Sequence, residues 1–443
     1  MRIGLFTDTY FPQVSGVATS IQTLKQVLEE AGHQVYIFTT TDKNLGSYND
    51  PTIIRLPSVP FISFTDRRVA YRGLLSSYKI AKKYRLDIIH TQTEFNVGVL
   101  GKILGRALKI PVVHTYHTQY EDYVNYIAKG MIIRPSMVKY IMRGYLKDLD
   151  GLICPSRIVL NLMNNYEIKV PKRIIPTGIY LENYRRDDIS PQMIADLRAE
   201  LNLRADEKIL LSLSRVSYEK NIQAILSSLP DVLSQIQTVK LVVVGDGPYL
   251  ETLKAQAKEL GITEHVVFTG MISHEKTALY YKAADFFISA STSETQGLTY
   301  TESLASGTPI IAQTNPYLDD LISDSMFGVL YADPDDLAGA ILEALLVKPE
   351  KDMTQWDEKL YQISAQHFGQ SVYQFYLDVL ISKSQKTTPI SLTIESSRTE
   401  KSVKLVRSAM SLPKKAVKKT ARTSVKVVKV PRHMIRSIKD FLD

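Results

Sequence analysis

A chain of 443 residues, 44% hydrophobic and 23% charged, has the composition of a folded protein with two or three domains. Its one cysteine, Cys154, excludes an internal disulfide framework and fits a reducing compartment. The sequence has no run of about 18 or more apolar residues, the length that spans a bilayer. Its N-terminus leads straight into a strand, without a charged and then apolar leader. We therefore expect neither a signal peptide nor a membrane-spanning segment.

The positive charge of the chain is concentrated at its C-terminus. Residues 401–443 contain 13 Lys and Arg but only two acidic residues, Asp440 and Asp443, a net charge of +11. Because the whole chain carries +8, residues 1–400 sum to −3. The basicity therefore belongs to a tail, and Ser/Thr-rich residues 384–400 are expected to be a loose linker before it.

The first half of the chain alternates apolar strands with helical segments, which predicts a parallel α/β sheet. We predict strands at 2–7, 35–39, 53–56, 87–92, 151–156 and 173–179, and one beginning at Pro111. A helix from about Ala18 to Ala31 follows the first strand, and Gly16 lies in the loop between them. A glycine there lets the backbone approach a ligand closely, although a simple turn explains it equally well.

Residues 67–85 contain seven cations and no acid. At 100° per residue, several of these cations would occupy one helical sector opposite the apolar side chains. The pattern predicts a basic amphipathic helix for an anionic surface, with an ordinary surface helix as the alternative. The candidate membrane-binding residues are Arg67, Arg68, Arg72, Lys79, Lys82 and Lys83.

Polar and aromatic residues follow the strand that begins at Pro111. His117 is placed past the carboxyl end of that strand, where parallel sheets bind their ligands, and Glu121 is a neighbouring acid. His114 lies two residues earlier, on the other face of the strand. We therefore expect His117 to be functional and His114 to be structural.

The second half of the chain alternates strand and helix again, from Lys208 to about Val347, which predicts a second parallel sheet. A polar segment at 184–191, containing Pro191, marks the linker. This gives domains at 1–190 and 200–364, a helix at 365–383, and the linker and tail at 384–443.

Two cations follow the first strand of the second domain. Arg215 and Lys220 come after the apolar residues 209–213, where they could neutralise a diphosphate, whereas a solvated surface pair is the alternative. A Gly-Asp-Gly-Pro turn at 245–248 follows the next strand. A Phe-Thr-Gly strand ends at Gly270.

The stretch 291–307 carries the strongest site signal. It follows a strand at 285–290 and places Glu294 and Glu302 on either side of Gly297, in a loop and a short helix that ends at Gly307. Free N–H groups at such a helix start suit a phosphate, and the carboxylates can accept hydrogen bonds from hydroxyls. A capping box between Thr299 and Glu302 would explain the second carboxylate without a ligand.

These motifs in this order resemble the donor-binding domain of the family 4 glycosyltransferases. The resemblance covers about residues 1–383. It implies an α/β structure with the GT-B fold, in which two Rossmann-like domains face a cleft and a C-terminal helix crosses back onto the first domain.

Within the family, the chain resembles the diacylglycerol glucosyltransferases of Gram-positive bacteria. This implies a retaining hexosyltransferase that moves glucose from UDP-glucose to 1,2-diacylglycerol, giving α-monoglucosyldiacylglycerol. The expected place of reaction is the cytoplasmic face of the cell membrane, with the enzyme bound peripherally to anionic phospholipid.

The resemblance also implies roles for single residues. Arg215 and Lys220 would stabilise the leaving UDP, Glu294 would hold the sugar, and Glu302 would hold the ribose. Gly16 would face the donor diphosphate and His117 the acceptor. The implied donor-binding loop comprises Glu294, Thr295, Gln296, Gly297 and Leu298.

No side chain is expected to be a covalent nucleophile, so the two-carboxylate logic of glycoside hydrolases does not apply. The sequence has no Asp-x-Asp motif at a strand end. We therefore expect no obligatory metal or cofactor and leave open a stimulation by Mg²⁺.

Two alternatives stay open from the residues alone. The same fold could serve a phosphatidylinositol mannosyltransferase or a glycolipid galactosyltransferase. The basic tail could instead belong to a nucleic-acid-binding protein, but it lacks the interleaved aromatic residues that stack on bases. We therefore do not expect nucleic acid as a partner.

Overall fold

The chain forms two parallel sheets, each covered by helices, in the computed structural model. The structure describes residues 1–13, 15–42, 50–61, 64–118, 135–291, 294–347 and 349–387. Glu121 and the predicted basic tail at 401–443 lie outside these ranges. The tail therefore stays a prediction.

The first sheet has the strand order β3-β2-β1-β6-β7-β8-β9, and all its pairs are parallel. Its strands are β1 (Arg2–Phe6), β2 (Gln34–Thr40), β3 (Ile53–Leu56), β6 (Ile88–Thr91), β7 (Val112–Thr115), β8 (Gly151–Cys154) and β9 (Lys172–Ile174). Two further strands, β4 (Ser58–Phe61) and β5 (Phe64–Ala70), pair antiparallel beside it. The predicted strands of the first half are confirmed, with ends that differ by a few residues.

Five helices lie within the described residues of the first half of the chain. They are α1 (Gly16–Glu30), α2 (Leu74–Tyr84), α3 (Asn96–Leu108), α4 (Pro135–Leu146) and α5 (Arg157–Asn165). Helix α1 begins two residues before the predicted start because the hydroxyl of Ser15 caps it, accepting from the N–H of Ala18 at 3.2 Å.

The second sheet has the order β12-β11-β10-β13-β14-β15 and is also parallel. Its strands are β10 (Lys208–Leu213), β11 (Val239–Val244), β12 (Val266–Gly270), β13 (Phe286–Ser289), β14 (Ile310–Gln313) and β15 (Gly328–Tyr331). Its helices are α6 (Glu182–Arg185), α7 (Pro191–Glu200), α8 (Ile222–Gln235), α9 (Leu250–Glu259), α10 (Thr277–Ala283), α11 (Leu298–Ala305), α12 (Pro316–Leu321), α13 (Leu337–Leu346) and α14 (Met353–Gln362). The predicted alternation of strand and helix is confirmed.

Each sheet is buried on both faces, which explains the nearly continuous apolar runs in its strands. The core of the second sheet takes in residues of the predicted linker and one residue that precedes it. Ile179, Tyr184 and Ile189 pack with Leu211 and Phe287 of that sheet. The packing of the second sheet therefore extends back to residue 179, and the domain bounds stay a prediction.

The prediction of one basic helix across residues 67–85 is wrong. Phe64–Ala70 is a strand, so Arg67 and Arg68 lie on β5, and α2 begins only at Leu74. Gly73 has φ 133°, a conformation that ends the extended segment and separates it from the helix. The guanidinium of Arg68 donates to the carbonyl oxygen of Ser58 at 2.8 Å, across the β4–β5 pair.

Only the second part of the predicted basic surface is helical. Lys79, Lys82 and Lys83 lie on α2 with exposed side chains, and Arg72 is exposed just before the helix. The helical periodicity of the sequence joined β5 and α2 into one predicted helix. Periodicity cannot detect that residues 58–61 form an antiparallel partner strand for β5.

A last helix, α15 (Ala365–Thr387), returns to the first sheet as predicted, but it runs four residues past the predicted end at 383, into the predicted linker. It buries the side chains Phe368, Val372, Phe375, Tyr376 and Val379 in the core that contains β1 and α1. The hydroxyl of Tyr376 lies 2.6 Å from Nδ1 of His90, whose Nε2 lies 2.7 Å from the hydroxyl of Thr115. The return helix is thus joined to the first sheet by a buried polar contact as well as by apolar packing.

His90 makes the stability of this junction dependent on pH. Burial lowers the pKa of His90 well below its ordinary value, so the folded imidazole stays neutral. The unfolded imidazole takes up a proton below about pH 6.5, so the contribution of His90 is present above that pH and is lost as the pH falls. The expected slope is at most about 1.4 kcal/mol per pH unit.

The measurement is urea denaturation at about pH 7 and about pH 5, for the wild type and His90→Gln. The free energy of unfolding of the wild type should fall more steeply than that of the variant, because glutamine does not titrate. Equal slopes for the two proteins would contradict the neutral, buried state of His90.

Candidate active site

The candidate site lies at the carboxyl edge of the second sheet. Strands β10 and β13 are neighbours there, and the chain continues from them to opposite sides of the sheet. Such a point, where the strand order reverses, is where open parallel sheets bind ligands. The loops that follow these two strands carry Arg215, Lys220 and Glu294, so the sequence-predicted residues meet at this edge.

Lys220 and Glu294 form an ion pair across the two loops. Both side chains are about one-fifth exposed, at 22% each, so the pair can reach a ligand in the cleft. The hydroxyl of Ser291 also donates to the Glu294 carboxylate, at 3.3 Å. Asn221, the residue directly after Lys220, has φ 53° and is the N-cap of α8. The pair is thus held before any ligand is bound.

Arg215 lies on the same loop as Lys220, between β10 and α8. Its side chain is exposed, and no hydrogen bond or ion pair holds it among the residues that the structure describes. The Gly-Asp-Gly-Pro turn is hydrogen-bonded to the loop that carries Arg215. The N–H of Val216 donates to the carbonyl oxygen of Asp246 at 3.0 Å. A Cβ on Gly245 would lie 1.9 Å from the carbonyl oxygen of Ser214. The turn therefore has to contain glycine for Arg215 to be placed.

The start of α11 faces the same edge. Its N-cap is Gly297, with φ 76°, and no side chain caps it. A Cβ at Gly297 would lie 2.6 Å from the ring of Tyr300, so glycine is required for the turn. The helix ends before Gly307, which has φ 85°, as predicted. Uncapped N–H groups at a helix start suit an anion.

The capping-box explanation of Glu302 is wrong. Thr299 lies inside α11 and is not its N-cap. The Glu302 carboxylate instead accepts hydrogen bonds from the hydroxyls of Tyr281, at 3.1 Å, and Tyr184. Burial raises the pKa of the Glu302 carboxyl, and the two tyrosine hydroxyls oppose that shift. These tyrosines are part of the site that the sequence analysis missed, because they lie far from Glu302 along the chain.

Two residues of the donor-binding loop contact the first domain. The hydroxyl of Thr295 donates to the carbonyl oxygen of His117 at 3.1 Å. The side chain of Gln296 binds the backbone of Thr177 with both of its amide atoms, at 2.7 and 2.8 Å. Leu298 packs its side chain against the core of the second sheet. Of the predicted loop residues, Glu294 alone therefore directs a charged side chain to the cleft.

His117 is brought to the donor-binding loop by the contact with Thr295. Its Nε2 lies 2.7 Å from Oε1 of Gln92, so Nε2 carries the proton of the neutral ring. Burial lowers the pKa of His117 to about 3, with His114 as a smaller cause. The neutral ring can therefore accept a hydrogen bond at Nδ1 but supplies no positive charge near neutral pH.

A second polar cluster lies at the order reversal of the first sheet, between β1 and β6. The Asp8 carboxylate accepts from the hydroxyl of Thr93 at 2.6 Å and from the N–H of Val97 at 3.0 Å. The buried His114 lies 3.1 Å from Glu94. His114 is thus part of a buried network, in agreement with its expected structural role. Asp8 and Glu94 follow strands in the sequence, and that position is the signal that could have identified them.

The remaining predicted residues are less closely joined to the site. Gly16 is the first residue of α1, and no atom lies within 4 Å of where its Cβ would be, so space is open beside it. Glu121 lies outside the described ranges. The described residues contain no group of three or more His, Cys, Asp or Glu that could hold a metal ion.

Family models match both halves of the chain. The model described as Glycosyltransferase Family 4 matches residues 14–183, and the one described as Glycosyl transferases group 1 matches residues 193–362. Together they cover the first sheet except for β1, and the second sheet with its site.

Two relatives share most of their length with the chain. It is 59% identical to an alpha-monoglucosyldiacylglycerol synthase of Streptococcus pneumoniae over 442 residues, 100% of this chain and 99% of that protein. It is 30% identical to the protein of the same name from Acholeplasma laidlawii over 399 residues, 87% of this chain and 99% of that protein.

Solved structures share the fold at lower identity. Sucrose-phosphate synthase from Thermosynechococcus elongatus matches with a TM-score of 0.64 and 23% identity, over 86% of this chain and 99% of that chain. Anabaena Alr3699/HepE in complex with UDP and glucose matches with a TM-score of 0.66 and 16% identity, over 85% of this chain and 100% of that chain. The chain therefore has the GT-B fold and belongs to the family 4 glycosyltransferases.

Proposed function

We propose that the chain transfers glucose from UDP-glucose to 1,2-diacylglycerol with retention of configuration, giving α-monoglucosyldiacylglycerol. The observation that carries the proposal is the Lys220–Glu294 pair, with the exposed Arg215 on the same loop as Lys220, in a chain 59% identical over its length to a synthase of that lipid. The pair places a cation for the nucleotide and a carboxylate for the sugar next to each other at the edge of the second sheet.

The leaving group explains why two cations are needed. As the bond between the anomeric carbon and the β-phosphate oxygen breaks, negative charge grows on UDP. Arg215, Lys220 and the N–H groups at the start of α11 would stabilise that charge, and groups fixed in advance do so without reorganisation. Glu294 already neutralises part of the Lys220 charge, so Arg215 would carry most of the net positive charge at the cleft.

The carboxylates have different tasks in this proposal. Glu294 would accept hydrogen bonds from hydroxyls of glucose, and Glu302, placed by Tyr184 and Tyr281, would accept them from the ribose. The neutral His117 would accept a hydrogen bond from the attacking hydroxyl of the lipid. That hydroxyl would attack from the face that UDP leaves, and its proton would pass to the departing phosphate oxygen.

The surface of the first domain suggests where the acceptor comes from. Helices α2, α3 and α4 contain seven Lys and Arg and no Asp or Glu. Helix α3 contacts α2, and Lys102 of α3 donates to the carbonyl oxygen of Lys147, just past α4, at 3.0 Å. These three neighbouring helices are called the acid-free face below.

The acid-free face also exposes apolar side chains. Phe95, Val99 and Ile103 recur every four residues along α3, so they lie on one side of it. Tyr140 of α4 is 80% exposed. The further exposed apolar residues are Leu75, Met137 and Ile141. We propose that this face binds the anionic cytoplasmic leaflet, with apolar side chains in the headgroup region.

Some cations of the acid-free face are paired and others are not. Arg106 pairs with Asp148, and Arg143 pairs with Glu167. The lysines of α2 form no ion pair within the described part of the chain. None of the described helices is long and apolar enough to cross a bilayer. The α2 lysines are therefore the residues with which to test electrostatic attachment.

The substrates are tested by incubating the protein with radiolabelled UDP-glucose and 1,2-diacylglycerol in mixed micelles. We expect a labelled lipid whose sugar is removed by an α-glucosidase and not by a β-glucosidase. UDP-galactose and GDP-mannose, supplied at the same concentration, should give far less product. A preference for GDP-mannose or UDP-galactose, or an absence of labelled lipid, would contradict the proposal.

The site residues are tested by Glu294→Ala and Lys220→Ala. Each should lower the turnover number about 100- to 1000-fold, since each removes a group that acts on the developing charge or the sugar. Thermal melting should change little, because both side chains are partly exposed. Glu251→Ala is a matched control, since Glu251 also pairs with a lysine, Lys254, but on the surface of α9. Near-normal turnover in both site variants would remove the assignment.

The membrane contact is tested by reversing Lys79, Lys82 and Lys83 to Glu. Each basic residue near an anionic surface is worth about 1 kcal/mol, so binding to vesicles with phosphatidylglycerol should weaken by at least about 100-fold. UDP binding should not change. The matched control reverses Lys254, Lys258 and Lys276, exposed residues of the second half, with the same change in net charge.

Vesicle flotation at low and high salt is the measurement. High salt should weaken binding of the wild type, because it screens the surface charges. Equal binding to neutral and anionic vesicles, or an equal loss in the control variant, would contradict the assignment of this face.

A further inference from the structure

The chain crosses between its two sheets twice, and the crossings are hydrogen-bonded to each other. The N–H of Ile179 donates to the carbonyl oxygen of Ile363 at 3.0 Å, and that of Ala365 donates to the carbonyl oxygen of Ile179 at 2.8 Å. Gly178 fits closely here, since a Cβ would lie 2.1 Å from the carbonyl oxygen of Ser364. Residues 177–179 and 363–365 are called the crossover seam below.

Gln296 binds the donor-binding loop to this seam. Its Oε1 accepts from the N–H of Thr177 at 2.8 Å, and its Nε2 donates to the carbonyl oxygen of Thr177 at 2.7 Å. Gln296 is 4% exposed and Thr177 is 5% exposed, so water does not replace these bonds easily. The hydroxyl of Thr177 also lies 2.8 Å from that of Ser20 on α1. A continuous set of hydrogen bonds thus joins α1, the seam and the loop.

We propose that Gln296 is a positioning residue, which fixes the donor-binding loop to the crossover seam and so places Glu294 and the start of α11 relative to the acceptor side. This differs from the role that the sequence implied, in which Gln296 binds the donor itself. The measurement of turnover rests on the proposed function, whereas the measurement of hydrogen–deuterium exchange does not.

The geometry explains why the effect would fall on turnover rather than on nucleotide affinity. Gln296 is two residues from Glu294 and adjacent to Gly297, so movement of its side chain moves both. Of the groups proposed to hold the nucleotide, Arg215 and Lys220 are on a different loop from Gln296. The N–H groups at the start of α11 are beside Gln296, but they would act mainly on the charge that develops as the bond to UDP breaks. A loop displaced by about 1 Å can cost about 100-fold in rate while leaving binding groups in place.

Two variants test the proposal. Gln296→Leu removes both hydrogen bonds to Thr177 and the one with Tyr317 of α12, and it leaves two buried backbone groups of Thr177 unpaired. Gln296→Glu keeps the volume and the bond from the Thr177 N–H, but it puts a second oxygen against the Thr177 carbonyl oxygen. Gln192→Leu, an exposed position on α7, is the control for the chemical change.

The first readout is hydrogen–deuterium exchange of the full-length protein, in a peptide that contains the Thr177 amide. Its N–H should exchange faster in Gln296→Leu than in the wild type or the control, because it has lost its acceptor. Peptides from β1 and β10 should keep their protection. Faster exchange in these strands in both variants would instead show a general structural role and overturn the proposal.

The second readout compares UDP affinity with turnover. We expect the UDP dissociation constant to stay within about threefold, while the turnover number falls about 10- to 100-fold in Gln296→Leu and less in Gln296→Glu. Unchanged turnover would overturn the proposal. So would a loss of UDP affinity that matches the loss of turnover, since Gln296 would then bind the donor. If the wild type did not use UDP-glucose, the proposed function would fail and the exchange result would still decide the role of Gln296.

Discussion

The double crossing of the chain is the constraint on which the rest of the structure depends. A single linker would leave two independently folded sheets free to move. Here the chain leaves the first sheet after β9, returns in α15 and buries five side chains beside β1. The two passages are hydrogen-bonded to each other, so they act as one narrow connection. The loops at the two carboxyl edges can therefore meet at Thr295 and His117.

The electrostatics of the site follow from this arrangement. Lys220 and Glu294 satisfy each other across the edge of the second sheet, so neither charge has to be left unpaired when the cleft is empty. Arg215 is exposed to water and needs no partner. On the other side of the cleft His117 is neutral, because burial keeps its pKa low. Positive charge thus lies on the side where the proposed reaction needs the nucleotide, and the proposed acceptor side is uncharged at that histidine.

Much of the fold and of the site could be predicted from the sequence. Buried parallel strands are recognisable as apolar runs, and their carboxyl ends lie at one edge of the sheet. That logic placed Arg215, Lys220 and Glu294 at one edge. It failed where the decisive contact joins distant residues. Tyr184 and Tyr281 reach Glu302 from other elements, and Gln296 binds a backbone in the other half of the chain. No local pattern encodes a hydrogen bond to a distant main chain. The helix predicted across 67–85 failed for the same reason, since a nearby antiparallel partner made half of it a strand.

The two halves also differ in their outer surfaces, and the difference matches the two substrates of the proposed reaction. The acid-free face carries only cations, polar and apolar residues, whereas helices α7, α9 and α14 of the second half mix acids and bases as water-exposed helices do. A lipid acceptor must leave a bilayer, and a nucleotide sugar must arrive from water. A protein that held both halves against a membrane would block the entry of the nucleotide. Placing the bilayer contact on the first half alone leaves the edge of the second sheet open to solvent, while the short crossover seam keeps that edge next to His117.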